Sequence, residues 1–573
     1  MRTRFVRRAA GSAAVIVAVA GLAVALTLPA RRVTVDTPSW QPAVPTATGA
    51  YHIHTIHSDG TGTPDEIAAA AARAGLSFVI FTDHGDGTRA PDPPQYRSGV
   101  LCLDGVEIST TGGHYAAVGM PRAPYPLGGE PRDVVEDVAR LGGFGVAAHP
   151  DSANPALQWR EWTAPFDALE WLNADSAWRD ESPWGLGRAL VGYPFRPVEA
   201  MGSLLDRPSN LLARWDALTR RRRVVALAGA DAHARMGFRA GAGDPYQNGW
   251  FLRLPSYEVS FRTFALRVGL AHAFQGEPAA DARMLVDGLR AGHVYTGIDA
   301  LASPAQLEFS GRSGRFVADQ GDQLPIDGPV RLSVRVNAPQ GAVIELRRDG
   351  ALAREAPAPD LEFDAPAAQA VFRVEVRVPQ APGTPPIPWI VTNPIYVVPQ
   401  NWEAGRLPAR GPASETHDIK SGGWRIEHEA TSTGTLGSDR GDGSLVNFRY
   451  TLGSGKPAGQ FTAVAVPAAP ELAGYDRLAF LGRADKPMRL SVQVRRAQGS
   501  QGERWQRSVY LDTEPRVITV FFDDMTPIGP TETSKPDLAR ADTLLLVVDT
   551  IHTEPGTTGS IRLERLQLGR RTR

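Results

Sequence analysis

Residues 51–59 read Tyr-His-Ile-His-Thr-Ile-His-Ser-Asp. His52 and His54 are two residues apart, so on a strand both side chains point to one face while Ile53 points to the other. Three histidines and a carboxylate in so short a stretch form a dense set of metal-ligand side chains. The stretch therefore predicts a strand that ends at a metal site.

Similar side chains recur downstream in short motifs, mostly at or just after the ends of apolar segments. The motifs are Thr82-Asp83-His84, Gly105-Val106-Glu107, Gly113-His114, Ala148-His149-Pro150 and Ala230-Asp231-Ala232-His233. The candidate metal ligands are His52, His54, Asp59, His84, Glu107, His114, His149, Asp231 and His233. So many ligands exceed the needs of one ion and fit two or three, with Glu107 as a bridge. Imidazole with carboxylate indicates Zn, Mn or Fe.

The same region alternates between short apolar strands and helices. Thr63, Pro64 and Glu66 form a helix start with a capping box, and Gly75 suits the position after the helix end. Such alternation predicts a mainly parallel sheet. Candidate ligands at the carboxyl ends of strands favour a closed or nearly closed β/α barrel over residues 49–300.

Beyond residue 300 the pattern changes to short alternating strands separated by turn residues. Residues 301–400 are predicted to form a β-sandwich, with a hairpin turn at Asp349-Gly350. Residues 401–414 are a Pro/Gly/Ala linker. Residues 415–573 are predicted to form a second all-β domain, most simply a jelly roll.

The amino terminus has the pattern of an export signal. Arg2, Arg4, Arg7 and Arg8 precede an uncharged apolar run, Ala9–Ala30, which is about long enough to span a bilayer. The sequence Leu28-Pro29-Ala30 is a poor cleavage site, which favours an uncleaved anchor over a cleaved signal. Residues 1–33 are thus the predicted signal or anchor segment and residues 34–48 a linker, with the rest at the cell envelope, on its periplasmic face or outside the cell.

Composition limits the class of protein. The chain has 573 residues, enough for three or four domains, and a net charge of −1, which gives no bulk attraction to nucleic acid. Cys102 is the single cysteine, so no intrachain disulfide can form. Stability then depends on apolar cores and bound metal.

The ligand set also predicts a reaction. Three divalent ions with three carboxylates would leave a surplus of roughly three positive charges, which favours an anionic substrate, and metal-bound hydroxide would form near neutral pH. Hydrolysis of a phosphoester follows, with Asp231, His233 and Arg235 as the catalytic residues and Arg235 contacting a phosphate oxygen. Hydrolysis of a carbamate, amide or carboxylic ester at the same site is the alternative. A non-catalytic surface or glycan-binding protein is an alternative of another class.

The motifs resemble those of the PHP (polymerase and histidinol phosphatase) family, and within it the exported CehA/McbA-like branch. The resemblance implies a distorted seven-stranded β/α barrel, a trinuclear centre and phosphoesterase activity. The implied ligand sets are His52, His54, Glu107 and Asp231 for one ion, Asp59, His84 and His233 for another, and Glu107, His114 and His149 for the third. The last domain resembles carbohydrate-binding jelly rolls, which implies that it could bind carbohydrate but does not identify the substrate. The expected substrate is an anionic small-molecule or glycan-linked phosphoester.

Several other residues are candidates for the surroundings of the site. Five tryptophans between the His149 and Asp231 motifs could wall a pocket or pack in the core: Trp159, Trp162, Trp171, Trp178 and Trp184. Asn173 and Asp175 are candidates for the mouth of the same pocket. His57 is expected at the rim of the metal site.

Overall fold

The structure is a computed structural model. It describes residues 21, 24–25, 27–36, 40, 42–237, 251–402, 410–419, 423–437, 445–455, 459–467, 471–496 and 502–571. These residues form two compact units. The first unit comprises the described parts of Met1–Gly85, Pro91–Pro121 and Val138–Gly405, and the second those of Asp86–Ala90, Arg122–Asp137 and Arg406–Arg573. The domain boundaries given by the sequence stay predictions.

The amino-terminal anchor prediction falls mostly outside the described residues. Of Ala9–Ala30, the structure describes only residues 21, 24–25 and 27–30. Among the residues that are described anywhere in the chain, no helix has the length and apolar character needed to cross a membrane.

Strands and helices alternate up to residue 297. The strands are β1 (Val33–Thr34), β2 (Thr46–Ile53), β3 (Phe78–Phe81), β4 (Gln95–Arg97), β5 (Val100–Thr110), β6 (Gly113–Val118), β7 (Phe144–Ala147), β8 (Ala168–Asn173), β9 (Val225–Gly229), β10 (Met236–Gly237), β11 (Phe251–Leu252), β12 (Ala265–Gly269) and β13 (Val294–Gly297). The helices are α1 (Pro64–Ala74), α2 (Pro131–Arg140), α3 (Ala174–Arg179), α4 (Pro183–Gly192), α5 (Pro197–Gly202), α6 (Ser209–Thr219), α7 (Tyr257–Thr263) and α8 (Pro278–Ala291).

The capping signals around α1 are confirmed. The Thr63 hydroxyl accepts a hydrogen bond from the Glu66 amide at 3.2 Å, and the Glu66 carboxylate accepts one from the Thr63 amide at 2.8 Å. Gly75 follows the helix with a φ of 81°, a left-handed conformation that glycine adopts without strain. The local sequence thus determines both ends of this helix.

The main sheet is mixed and open, which corrects the expectation of a mainly parallel, closed barrel. Strands β2, β3 and β5 pair in parallel, as do β7, β8 and β9, but β6 pairs antiparallel with both β5 and β7. The connection between β5 and β6 is too short for the crossover that a parallel pair requires. Strand β12 pairs antiparallel with the other edge of β2.

Strand β2 is joined to the chain that follows β9, and not to β9 itself. The Tyr51 carbonyl accepts a hydrogen bond from Ala230, the His52 carbonyl accepts one from Ala232, and the His54 amide donates to the Ala232 carbonyl. Within the described part of the chain no strand ladder joins β9 to β2 along their lengths, so no barrel is closed. These bonds nevertheless bring the His52 and Asp231 motifs side by side.

Residues 302–398 are all-β, as predicted. The strands are β14 (Ala302–Ser303), β15 (Gln306–Ser313), β16 (Phe316–Asp319), β17 (Gln323–Pro325), β18 (Val330–Asn337), β19 (Val343–Arg348), β20 (Ala351–Pro357), β21 (Asp360–Ala365), β22 (Ala370–Arg377), β23 (Ile390–Thr392) and β24 (Ile395–Val398). Strands β16, β15, β18 and β21 form a separate four-stranded sheet. Strand β23 pairs with β13, so part of this region extends the main sheet.

The second unit is also β-rich and has two six-stranded sheets. Its strands are β25 (Glu415–Asp418), β26 (Arg425–His428), β27 (Thr433–Gly437), β28 (Leu445–Thr451), β29 (Phe461–Pro467), β30 (Arg477–Ala484), β31 (Met488–Arg496), β32 (Glu503–Leu511), β33 (Arg516–Phe521), β34 (Thr526–Ile528), β35 (Thr543–Asp549) and β36 (Thr558–Arg570). A shared apolar core contains Phe448, Leu490, Trp505 and Leu546. The predicted all-β character is confirmed.

Candidate metal centre

The structure brings all nine predicted ligands together in the first unit. His52 is the penultimate residue of β2, His54 directly follows the strand, and Asp59 lies in the following loop. The others lie in or just after β3, β5, β6, β7 and β9. The backbone at His52, His149 and Asp231 has φ values of 63°, 29° and 43°. This left-handed conformation is unfavourable for residues other than glycine and is concentrated at functional sites.

Four ligand atoms lie close to one another in the cluster. His52 Nε2 lies 3.4 Å from Glu107 Oε2 and 3.5 Å from Asp231 Oδ1. His54 Nε2 lies 3.3 Å from the same glutamate oxygen and 3.4 Å from the same aspartate oxygen. Ligands about 2.05 Å from a tetrahedral ion lie about 3.3 Å apart, so these four separations fit a shared cation.

Buried atoms without hydrogen-bond partners support the same interpretation. His52, His54 and Glu107 are fully buried, and His52 Nε2, His54 Nε2 and Glu107 Oε2 lack any hydrogen bond. Buried polar groups are nearly always paired, and leaving one unpaired costs about 1–3 kcal/mol. A bound cation would satisfy all three atoms.

Two further groups of ligands adjoin the first. His233 Nε2 is 3.3 Å from Asp59 Oδ1, and His84 Nε2 is 3.6 Å from Asp59 Oδ2. His114 Nδ1 and His149 Nε2 lie 2.9 and 2.8 Å from Glu107 Oε1. The two oxygens of Glu107 thus face different groups of imidazoles, as expected of a bridging carboxylate.

The electrostatics of the cluster favour positive charge. Burial raises the pKa of Glu107, but the charge of His52 and the hydrogen bonds from His114 and His149 outweigh it and lower the pKa well below its usual value. Burial lowers the pKa of His149, but its hydrogen bond to Glu107 and the charge of that carboxylate raise it to about 9. The carboxylates therefore stay ionised and attract cations, whether protons or metal ions. Several of these buried groups could bind metal ions.

Sequence analysis missed the residue that orients two of the ligands. The Glu170 carboxylate is fully buried, lies 2.5 Å from His52 Nδ1 and accepts a 2.7 Å hydrogen bond from the His149 amide. The Asn173 side chain donates to Glu170 at 2.8 Å and to Asp231 at 3.1 Å, so Asn173 lies inside the cluster instead of at its mouth. A glutamate within the apolar strand Ala168–Asn173 was the available signal.

The loop that carries Asp59 is held by Asp83 and Tyr257. Asp83 accepts hydrogen bonds from the Thr55 amide at 2.8 Å and the Ser58 hydroxyl at 2.6 Å. The Tyr257 hydroxyl donates to the His54 carbonyl at 2.8 Å. Asp83 belongs to a motif recognised in the sequence, but its contacts are with this loop.

The tryptophans and His57, which were predicted to surround the site, differ in how far they are exposed. Trp159 and Trp171 are 1% exposed and belong to the core, whereas Trp184 is 72% exposed. Trp178 lines a cleft with Asp175, Asp231, His233 and Arg235. The side chain of His57 is 46% exposed, consistent with a position at the rim.

Arg235 lies beside the cluster, with its guanidinium 4.6 Å from the centre of the Phe251 ring. It lines the same cleft as Asp231 and His233. A cation at this position lies where it could meet an anionic substrate. Its contact with a phosphate oxygen stays a prediction.

No protein-family model matches the chain, and no curated protein matches it. Among solved structures, a two-domain protein from Bacteroides vulgatus, described as containing a predicted PHP-like metal-dependent phosphoesterase, is 14% identical over 64% of this chain and 99% of its own, with a TM-score of 0.27. The family 11 carbohydrate-binding module of a Clostridium thermocellum cellulase is 13% identical over 28% of this chain and 96% of its own, with a TM-score of 0.23. TM-scores this low leave the function to be argued from the site.

Fold and site together define a β-rich protein with a buried cluster of histidines and carboxylates that could hold metal ions. The structure assigns no more specific class.

Proposed function

We propose that this protein is a metal-dependent phosphoesterase of the PHP type, in the CehA/McbA-like branch, with a trinuclear centre. The observation that carries the proposal is the buried group of His52, His54, Glu107 and Asp231, whose ligand atoms are spaced as around one cation. Asp59, His84 and His233 are proposed to hold a second ion, and Glu107, His114 and His149 a third.

Each part of the cluster has a distinct task in this proposal. When bound, divalent ions would supply Lewis acidity that activates water near neutral pH and neutralises charge on a phosphoryl group. The chain keeps His52, His54 and Glu107 fully buried and leaves the His84 side chain 35% exposed. Substrate would therefore approach from the side of His84, with Arg235 orienting a phosphoryl oxygen through its guanidinium.

The first experiment measures metal content and activity on the full chain. Elemental analysis is expected to find Zn, Mn or Fe in the protein as isolated. Asp231→Asn and His54→Ala are expected to lose metal and at least a hundredfold in activity, whereas His272→Ala, an exposed histidine outside the cluster, retains both. Full activity in His54→Ala would refute the metal-dependent mechanism.

A second assay separates phosphoesters from the alternative substrates. Metal-loaded protein is assayed against bis-nitrophenyl phosphate, nitrophenyl phosphate and naphthyl carbamates. Turnover of either phosphate is the expected result. Turnover of carbamates alone would replace the phosphoesterase proposal with hydrolysis of carbamates or related esters, and no turnover with retained metal would favour a non-catalytic binding protein.

Glycan binding by the second unit and export of the chain are further proposals. One face of the second unit is already covered by the chain itself: Arg489 donates to Asp137 at 2.7 Å and to the Asp133 carbonyl at 2.9 Å, and Arg507 pairs with Asp133. A glycan would have to bind elsewhere on the unit, which retention on insoluble polysaccharides would test. Cell fractionation with and without residues 1–30 tests export and anchoring.

A further inference from the structure

An apolar cleft adjoins the metal centre, and the chemistry described above does not use it. It is formed mainly by α3, α4 and α5. Its apolar lining residues are Trp178, Leu186, Ala189, Tyr193, Met201 and Leu204. Small-molecule binding sites are typically lined by apolar and aromatic side chains of this kind.

The apolar cleft adjoins the cleft that reaches the metal ligands. Trp178, Met201 and Leu204 line both, as do Arg235 and Pro255. A molecule held at Asp231 and His233 would therefore have its other end against side chains that also line the apolar cleft.

The shared wall is held in place by hydrogen bonds. The Asn173 side chain accepts a 2.9 Å bond from the Ser176 amide and so caps α3. The indole of Trp178 donates to Asp175 at 2.9 Å, which orients its ring. Because Asn173 also contacts Asp231 and Glu170, the helix that carries Trp178 starts at the metal cluster itself.

We infer that the substrate is an amphipathic phosphoester, in which an alkyl or aryl group is bonded to an oxygen of the phosphoryl group. This inference rests on the proposed phosphoesterase function and specifies its substrate class. The charged end meets the metal ligands and Arg235, and the apolar group enters the apolar cleft. Removal of that group from water supplies binding energy that a small hydrophilic phosphoester lacks.

The test uses alkyl nitrophenyl phosphates with methyl, butyl and octyl groups, below their micelle-forming concentrations. The leaving group is the same throughout, so differences in kcat/KM report the alkyl group. Each buried methylene contributes about 0.8 kcal/mol, or about fourfold. We expect kcat/KM to rise at least tenfold from methyl to butyl. Primary alkyl phosphates, assayed by phosphate release, provide the same series for a monoesterase.

Variants test whether the dependence of kcat/KM on alkyl length arises in the apolar cleft. Leu186→Gln places a polar group in the apolar cleft at a half-buried position and is expected to reduce the butyl-to-methyl ratio at least fivefold, with the methyl ester unaffected within twofold. Val191→Thr is the matched control, since Val191 is 44% exposed on α4 and does not line the cleft. Equal kcat/KM values across the series would overturn the inference while leaving the phosphoesterase function intact.

Binding of alkylphosphonates, measured by calorimetry on metal-loaded protein, separates the two proposals. Octylphosphonate is expected to bind at least tenfold more tightly than methylphosphonate, and Leu186→Gln is expected to remove that difference. If no phosphoester is hydrolysed but this preference is observed, the cleft is confirmed and the phosphoesterase function is wrong. Equal affinities for the two phosphonates would refute the inference about the cleft.

Discussion

Replacing Glu170 with glutamine tests whether a residue that contacts the proposed ligands His52 and His149, without being a ligand itself, controls metal affinity. Glu170 accepts hydrogen bonds on both oxygens: one lies 2.5 Å from His52 Nδ1, and the other lies 2.7 Å from the His149 amide and 2.8 Å from the Asn173 side chain. All of these partners are donors when His52 carries its proton on Nδ1. That tautomer leaves His52 Nε2 free to bind a cation.

Glutamine fills the same volume, but it replaces one of the two acceptor oxygens of the carboxylate with an NH2 group, which is a donor. If its amide group faces His52, the imidazole must move its proton to Nε2, the atom that points at the cation site. If its amide group faces His149, it meets two other donors in a buried position. Either orientation weakens the site, and outer-layer substitutions of this kind typically cost 10–100-fold in metal affinity.

The assay is a competition between the protein and a chelator of known affinity, combined with activity at increasing free metal. Glu170→Gln is expected to bind metal 10–100-fold more weakly, with kcat recovering towards the wild-type value at saturating metal. Glu375→Gln is the control: Glu375 is fully buried and paired with Arg207 and Arg373, outside the described ligand groups. It should lower the melting temperature and leave metal affinity unchanged. Unaltered metal affinity in Glu170→Gln would refute the assigned role.

Three further predictions concern packing and charge. Gly229→Ala is expected to weaken metal binding, because an added Cβ would overlap the Glu170 carboxylate; chelator competition measures this. Burial and the charge of Asp133 raise the pKa of Glu130 from 4.5 to about 8, so its contribution to stability is present below pH 4.5 and lost as the pH rises through 8. Glu130→Gln should therefore flatten the fall in melting temperature between pH 5 and 8. Arg489→Met, which removes the guanidinium that pairs with the buried Asp133 and Asp137 carboxylates, is expected to destabilise the second unit by about 3–5 kcal/mol in denaturant unfolding.

In the main sheet, the sequence pattern predicts where strands lie but not the direction in which they pair. The sequence indicated β3 and β7 correctly as short apolar strands, because a buried strand needs only local apolar residues. The direction in which strands pair depends on their connections and partners. Strand β6 therefore lies antiparallel within the run, although its composition resembles that of its neighbours.

Local sequence determined the identity and spacing of the ligands, the start and end of α1, and the change to all-β structure after residue 300. These features depend on side-chain chemistry and on periods of two to four residues, which can be read along the chain. Tertiary structure alone decided that the sheet stays open, that Glu170 faces His52 across 118 positions of sequence, and that an apolar cleft meets the metal ligands. Such contacts join distant segments, and the free energy of packing the whole chain selects among partners that the local pattern leaves equivalent.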